Sequence, residues 1–178
     1  MDYQKIINLY YPAETELRRI LLTHSQDVTS RALSIAANHS ELHLDIPFIR
    51  EAAMLHDLGI FLTDAPSIQC FGKQPYICHG ILGAQLLREL GYERHARVCE
   101  RHTGAGITRQ AIQSQQLPLP LQDFLPETME EQLICYADKF YSKSHLERVR
   151  NVEQAAKSLE KFGTDSVQRF MHWVQMFE

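Results

Sequence analysis

The sequence predicts an all-α protein. Three observations carry that expectation. Apolar residues recur at helical spacing along most of the chain, no alternating strand pattern exceeds a few residues, and glycines and prolines punctuate the periodic segments. Val28, Ala32, Leu33, Ile35 and Ala36 define a first long helix that starts at Ser25 or Asp27. Pro47 opens the next at a first-turn position, where its missing N–H costs nothing, and Gly59 closes it. Ile81, Leu82, Leu86, Leu87 and Leu90 mark a third helix ended by Gly91, and Tyr92 to Arg101 a fourth, stopped at Thr103-Gly104-Ala105-Gly106.

Thr108 reads as the N-cap of a short helix. Leu117-Pro118-Leu119-Pro120 forbids regular structure and is a loop. Leu133, Ile134, Ala137, Phe140 and Tyr141 line a helix from about Thr128, and its acidic start, Glu127 to Glu131, suits the positive end of the helix dipole. Asn151 caps a helix through Lys161, and Gly163 separates it from a last helix ending at Phe177. In that last helix Phe170, Trp173 and Phe177 form a stripe that predicts core packing or a homodimer contact. Ala65 to Tyr76 is the longest irregular stretch in the middle of the chain, of the kind that serves as a lid or binding loop.

At 178 residues the chain fits one domain that can bury most of its apolar surface without staples. Apolar residues are 44% and charged residues 22%, ordinary values for a globular protein. A net charge of −4 and the lack of a Lys/Arg block argue against a nucleic-acid partner. No apolar run approaches the ~18 residues needed to span a bilayer, and residues 1–11 lack a signal-peptide pattern. The expectation is therefore a cytoplasmic protein with no membrane partner. Cys70, Cys78, Cys99 and Cys135 form no CxxC pair and are read as free, half-buried thiols, with Cys78 watched as a ligand because it precedes His79.

Chemistry concentrates in a few fragments: His24, His56-Asp57, His79, His102 and Asp138. The His56-Asp57 pair follows apolar Ala52-Ala53-Met54-Leu55 and precedes Leu58-Gly59-Ile60. Polar groups set against a core need a partner, because burying one unpaired costs roughly 2–7 kcal/mol. A divalent cation is such a partner, and both residue types ligate divalent metals. His24 is placed near the start of its helix, His56-Asp57 at a helix end, His79 at a start, His102 at an end and Asp138 mid-helix. Ligands projecting from several helices can converge in a helical core. Each of these side chains has an ordinary reading taken singly, as a cap, a surface residue or half of a salt bridge.

The order His24, His56-Asp57, Asp138 resembles the HD superfamily of metal-dependent phosphohydrolases, and His56-Asp57-Leu58-Gly59 resembles its His-Asp-Ile-Gly (HDIG) fragment. His79-Gly80, His102-Thr103-Gly104 and Ala137-Asp138-Lys139 are similar to the dinuclear branch that includes bacterial hydrolases splitting diadenosine tetraphosphate symmetrically. The resemblance implies one HD domain over residues 1–178, with core motifs at 20–145 and C-terminal helices 146–178 packed on it. It implies that His24, His56, Asp57 and Asp138 hold one metal and that Asp57 bridges to a second, held also by His79 and His102. Iron is the first expectation for both ions, with Mn, Zn, Co and Ni compatible.

The implied activity is hydrolysis of a phosphoester or phosphoanhydride, of nucleotide class, with Asp57 assisting the attacking water. Two cations ~3.5–4 Å apart can activate water and clamp a phosphoryl oxygen. The implied alternative is a mixed-valence diiron oxygenase cleaving C–C or C–P bonds. The chain departs from the family in carrying Ile60 where many members have Lys, and Phe140-Tyr141-Ser142-Lys143 where the diadenosine hydrolases have Pro and a nearby Arg. Phosphate contacts are therefore assigned to Lys139 and Lys143, one turn apart on a helix face, and to Arg31, with Arg101 a further candidate. His39 and His43, together with His95, His145 and His172, are expected to be solvated.

Overall fold

A computed structural model describes residues 1–178. It has nine α-helices, and no helix is long and apolar enough to cross a membrane. α1 (Tyr3–Tyr10) starts at Asp2, whose carboxylate accepts from the Lys5 amide. α2 (Glu16–Asn38) is capped by Thr15, whose hydroxyl accepts from the Arg18 amide. It therefore begins well before Ser25, the start expected from the periodicity. Its amphipathic stripe already runs through Ile20, Leu21, His24 and Val28, so His24 sits in mid-helix.

α3 (Ile46–Leu55) has Pro47 in its first turn and Asp45 as cap. It ends at Leu55, four residues before Gly59, and a tight 3₁₀ segment (Leu58–Leu62) follows. The expected irregular stretch holds a small sheet of β1 (Thr63–Ala65), β2 (Cys70–Phe71) and β3 (Gln74–Pro75), in the order β2-β1-β3. β1 runs antiparallel to β2, with Ala65 opposite Cys70, and parallel to β3, with Thr63 opposite Gln74. Strands this short leave no alternation in the sequence to read.

α4 (His79–Glu89) and α5 (Glu93–Arg101) form a close antiparallel pair. α6 (Arg109–Ser114) starts at Thr108 as expected. α7 (Met129–Asp138) is set by a capping box: Thr128 accepts from the Glu131 amide and Glu131 accepts from the Thr128 amide. α8 (Val152–Leu159), capped by Asn151, and α9 (Thr164–Phe177) follow, with Gly163 between them.

Two apolar cores meet at the middle of α2. One gathers Val28, Ala32, Ile49, Leu133, Tyr136, Phe140, Phe170, Trp173 and Phe177. The other gathers Ile7, Leu21, Leu55, Leu58, Ile60, Leu87 and Ala96. His24 lies between Leu21 of the second and Val28 of the first, and is itself buried. The stripe Phe170, Trp173, Phe177 is core: Phe170 stacks on Tyr136 at 5.3 Å, and Tyr136 meets Phe140 edge-on at 5.0 Å. Phe170→Ala is expected to cost about 3–5 kcal/mol, the range for emptying a buried aromatic position. Urea denaturation should show a lower midpoint with an unchanged slope.

All four cysteines are free and fully buried, deeper than expected. The Cys78 thiol donates to the Pro118 carbonyl at 3.3 Å and is not among the converging ligands. His95 is also buried, against the expectation that it is solvated. Its Nε2 is 3.1 Å from Glu51 Oε2, and its ring meets Phe48 edge-on at 4.9 Å.

Candidate metal centre

The six side chains singled out in the sequence come together. Ligand atoms of His24, His56, Asp57 and Asp138 all lie within 4.8 Å of one another, as do those of Asp57, His79 and His102. All six residues are buried. Asp57, common to both groups, turns one oxygen to each. Its Oδ2 is 3.2 Å from His24 Nε2 and 3.0 Å from His56 Nε2. Its Oδ1 is 3.4 Å from His79 Nε2 and 3.3 Å from His102 Nε2. Asp138 Oδ1 closes the first group, 2.9 Å from His24 Nε2 and 3.5 Å from His56 Nε2.

Local structure explains the convergence. α3 ends at Leu55 with His56 still in helical backbone geometry (φ −56, ψ −29), and the chain departs from the helix at Asp57 (φ −106, ψ 15), which leaves both side chains facing inward. His79 is the first residue of α4, and His102 follows the last residue of α5. Asp138 is the final residue of α7, at its end and not in mid-helix as the sequence suggested. Gly59 is present for close approach. A Cβ there would lie 2.4 Å from both Gly83 N and His79 O, so only glycine lets α4 pack on the turn after Asp57. Gly80 does the same between α4 and α5, where a Cβ would meet Cys99 O at 2.5 Å.

The hydrogen bonds around the imidazoles fix which nitrogens face inward. Nδ1 of His56, His79 and His102 each lies 2.7 Å from a backbone carbonyl three residues earlier, of Ala53, Tyr76 and Cys99. A carbonyl only accepts, so each Nδ1 carries the hydrogen and donates, and each Nε2 presents a lone pair when the ring is neutral. This outer arrangement is the one that orients metal-binding histidines. His79 Nε2 and His102 Nε2 stand 3.0 Å apart with no hydrogen to share, an approach that a cation beside both satisfies. Both Asp57 oxygens are buried, and apart from the Lys143 ammonium beside Oδ2 neither has a hydrogen-bond donor. The donor set therefore fits a divalent metal.

Burial and neighbouring charges act differently on these groups. Burial would push Asp57 and Asp138 up, yet the charges of His56 and Lys143 around Asp57, and the charge of Lys139 with a hydrogen bond to His24 at Asp138, hold both carboxyls well below the usual range. Burial pushes His79 down to about 3 and also lowers His102, which keeps both rings neutral and able to ligate. Burial alone would lower His56 as well, but Asp57 and Asp138 raise it to about 9.

A cavity of about 350 Å³ opens onto this cluster. His79, His102 and Asp138 form part of its wall, together with Lys139, Lys143, Arg150 and Lys161. Lys143 Nζ is 2.5 Å from Asp57 Oδ2 and 3.3 Å from His24 Nε2. Lys139 Nζ is 2.6 Å from Asp138 Oδ2 and 3.0 Å from the His102 carbonyl. Two of the expected anion contacts thus sit at the cluster. Arg31 does not join them: its Nη2 binds Glu178 Oε1 at 2.6 Å, and its guanidinium lies 3.5 Å above the Phe140 ring. Arg101 is likewise engaged elsewhere, with Glu127 at 2.6 Å and the Leu125 carbonyl at 2.8 Å.

Sequence reasoning missed Tyr76, Arg150, Lys161 and Phe162. Tyr76 stacks on the His79 ring at 4.7 Å, and burial pushes its hydroxyl up to about 12. It precedes His79 by three residues, the spacing of the carbonyl contact, which was the one available signal. Nothing in the sequence marks the other three, because only the tertiary fold brings them to the cavity.

The family model for the HD domain matches residues 21–142. An uncharacterised protein of Methanocaldococcus jannaschii is 37% identical over 107 residues, 60% of this chain and 56% of that protein. A tRNA (cytidine(56)-2'-O)-methyltransferase of Picrophilus torridus is 30% identical over 167 residues, 90% of this chain and 44% of that protein. A protein of the same name from Thermoplasma volcanium is 32% identical over 123 residues, 68% of this chain and 32% of that protein. The chain thus spans about half or less of the curated relatives it matches. No solved structure matches.

Proposed function

This chain belongs to the HD domain family, and from that premise we propose that it is a metal-dependent phosphohydrolase acting on a phosphoester or phosphoanhydride of nucleotide class. The observation that carries the reading is the split of Asp57 between two groups of imidazoles, at the foot of a cavity lined by four cations. His24, His56, Asp57 and Asp138 would hold one ion, and Asp57, His79 and His102 a second, with iron the first candidate. When bound, such ions supply Lewis acidity and lower the pKa of water.

The residues of the chain do the rest. Lys139 and Lys143 place positive charge beside the ligand carboxylates, where an incoming phosphoryl group is attracted and its developing charge offset. The Nδ1–H bonds to Ala53, Tyr76 and Cys99 keep the rings from turning, so the site is ordered before substrate arrives. Burial of all six side chains limits bulk water at the reacting centre, which strengthens these interactions. Asp57 Oδ2, between His56 and Lys143, would orient the attacking water. The methyl transfer named for two relatives stays with those proteins, of which this chain spans less than half.

The test is elemental analysis of freshly purified protein, followed by a panel of phosphorylated metabolites with the metal found and with iron, manganese or cobalt added. Phosphate release that a chelator stops and metal restores is the expected result. No hydrolysis of any panel member by fully loaded protein would overturn the reading. Oxygen uptake on adding substrate, with a half-reduced diiron signal in electron paramagnetic resonance, would replace it with the oxygenase.

A further inference from the structure

The cavity holds two kinds of cation. At its floor Lys139 and Lys143 are matched to carboxylates, Asp138 at 2.6 Å and Asp57 at 2.5 Å. Arg150 and Lys161 line the same cavity and form no ion pair with a carboxylate. They lie further from the buried cluster: Lys139 is buried, Arg150 is half-buried and Lys161 is exposed at the rim. Both lie beyond residue 142, outside the segment matched to the family.

Arg150 is fixed in place. Its Nη1 donates to the carbonyls of Lys139 at 3.1 Å and Tyr141 at 3.2 Å, which leaves Nε and Nη2 uncommitted. A guanidinium edge with two free donors matches a phosphate or carboxylate. Lys161 is carried on the short helical turn that follows α8, its ammonium 5.1 Å from the centre of the Phe162 ring, which also lines the cavity. Asp138 is the one carboxylate among the lining residues, and it is already paired. The outer wall therefore carries positive charge that the protein does not neutralise. At about 350 Å³ the cavity falls within the ~300–1,000 Å³ of small-molecule sites.

We propose that Arg150 and Lys161 bind a second phosphoryl group of the substrate, so that the substrate class is a molecule carrying two phosphoryl groups. The group to be cleaved lies at the floor, and the second is held at the outer wall. This rests on the phosphohydrolase reading and narrows it. Two arrangements share this chemistry, a phosphoanhydride chain and two separate esters.

The experiment is calorimetry on the metal-loaded full chain with three probes: adenosine monophosphate, adenosine diphosphate, and adenosine carrying separate phosphates on its ribose. Turnover is followed in parallel by chromatography. One or both of the doubly phosphorylated probes should bind at least about tenfold more tightly than the monophosphate, a difference within reach of charge-assisted contacts. Tight binding of the diphosphate alone identifies the anhydride chain, and of the other probe alone the separate esters.

Lys161→Ala, at an exposed position that does not threaten the fold, should abolish most of that preference while leaving metal content unchanged. Arg150→Lys should reduce it, because an ammonium cannot reproduce the fork. Equal affinity for all three probes, or a preference that survives Lys161→Ala, overturns the proposal while metal-dependent phosphate release still supports the broader function. Protein that holds no metal and binds none of the probes overturns both.

Discussion

Asp57→Ala is expected to abolish turnover and to release metal from both halves of the centre, while the far-ultraviolet circular dichroism stays helical. Asp57 is the one side chain shared by the two groups of ligands, with Oδ2 toward His24 and His56 and Oδ1 toward His79 and His102. Without it the second group is reduced to two imidazoles, too few to hold an ion firmly. Bound metal supplies several kcal/mol of transition-state stabilisation, so its loss corresponds to a fall of ~10³-fold or more in rate.

The substitution also strands Lys143, whose ammonium is 2.5 Å from Asp57 Oδ2 in a site that is mostly closed to solvent. Removing one partner of a buried pair costs about 3–5 kcal/mol. That is within the ~5–15 kcal/mol that a domain has in hand, so the variant should remain folded but melt earlier. Adding Lys143→Met should recover part of the melting temperature and none of the metal. Asp57→Asn, which keeps the volume and loses the charge, should lose metal as Asp57→Ala does. Full metal occupancy after dialysis in either single variant would contradict the bridging role.

The sequence exposed the candidate metal ligands but not the wall that faces them. His56-Asp57 is conspicuous because two polar residues interrupt the apolar run Ala52 to Ile60, and burial there demands a partner. Helix caps such as Thr108, Thr128 and Asn151 are equally legible, because a hydroxyl or amide before a periodic stretch has one obvious hydrogen bond to make. α1 and the first turns of α2 were lost because their polar residues, Gln4, Lys5 and Asn8 in the one and Glu16, Arg18 and Arg19 in the other, dilute the apolar stripe. Arg31 failed as an anion contact for a different reason. Spacing along α2 fixes its helical face but not that Glu178 and Phe140 lie there, and those contacts come from elements more than 100 residues away. Arg150 reaches the cavity through its bonds to the Lys139 and Tyr141 carbonyls, and Lys161 and Phe162 through the turn that follows α8, none of which a local pattern encodes.

Gly59→Ala should be among the most damaging small substitutions in the chain, and it should damage the His79–His102 half of the centre first. The added Cβ would lie 2.4 Å from Gly83 N and His79 O and 2.9 Å from Gly83 Cα. All three are backbone atoms of α4, so no side-chain rotation relieves the clash and the helix itself must move. Overpacking of this kind typically costs about 1–3 kcal/mol and occasionally more; backbone-on-backbone contact places it at the upper end. His79 is the first residue of α4 and depends on that helix for its 3.0 Å approach to His102.

His24, His56 and Asp138 come from α2, from the end of α3 and from α7, so the first group should keep more of its affinity. Gly91 supplies the control. It has φ +82 and nothing within 4 Å of an added Cβ, so Gly91→Ala bears conformational strain of ~1–2 kcal/mol with no collision. Denaturant titration should rank Gly59→Ala below Gly91→Ala in stability, and elemental analysis should find metal lost in the first variant alone. Metal loss in both would tie occupancy to global stability, and metal loss in neither would show that α4 can shift without separating His79 from His102.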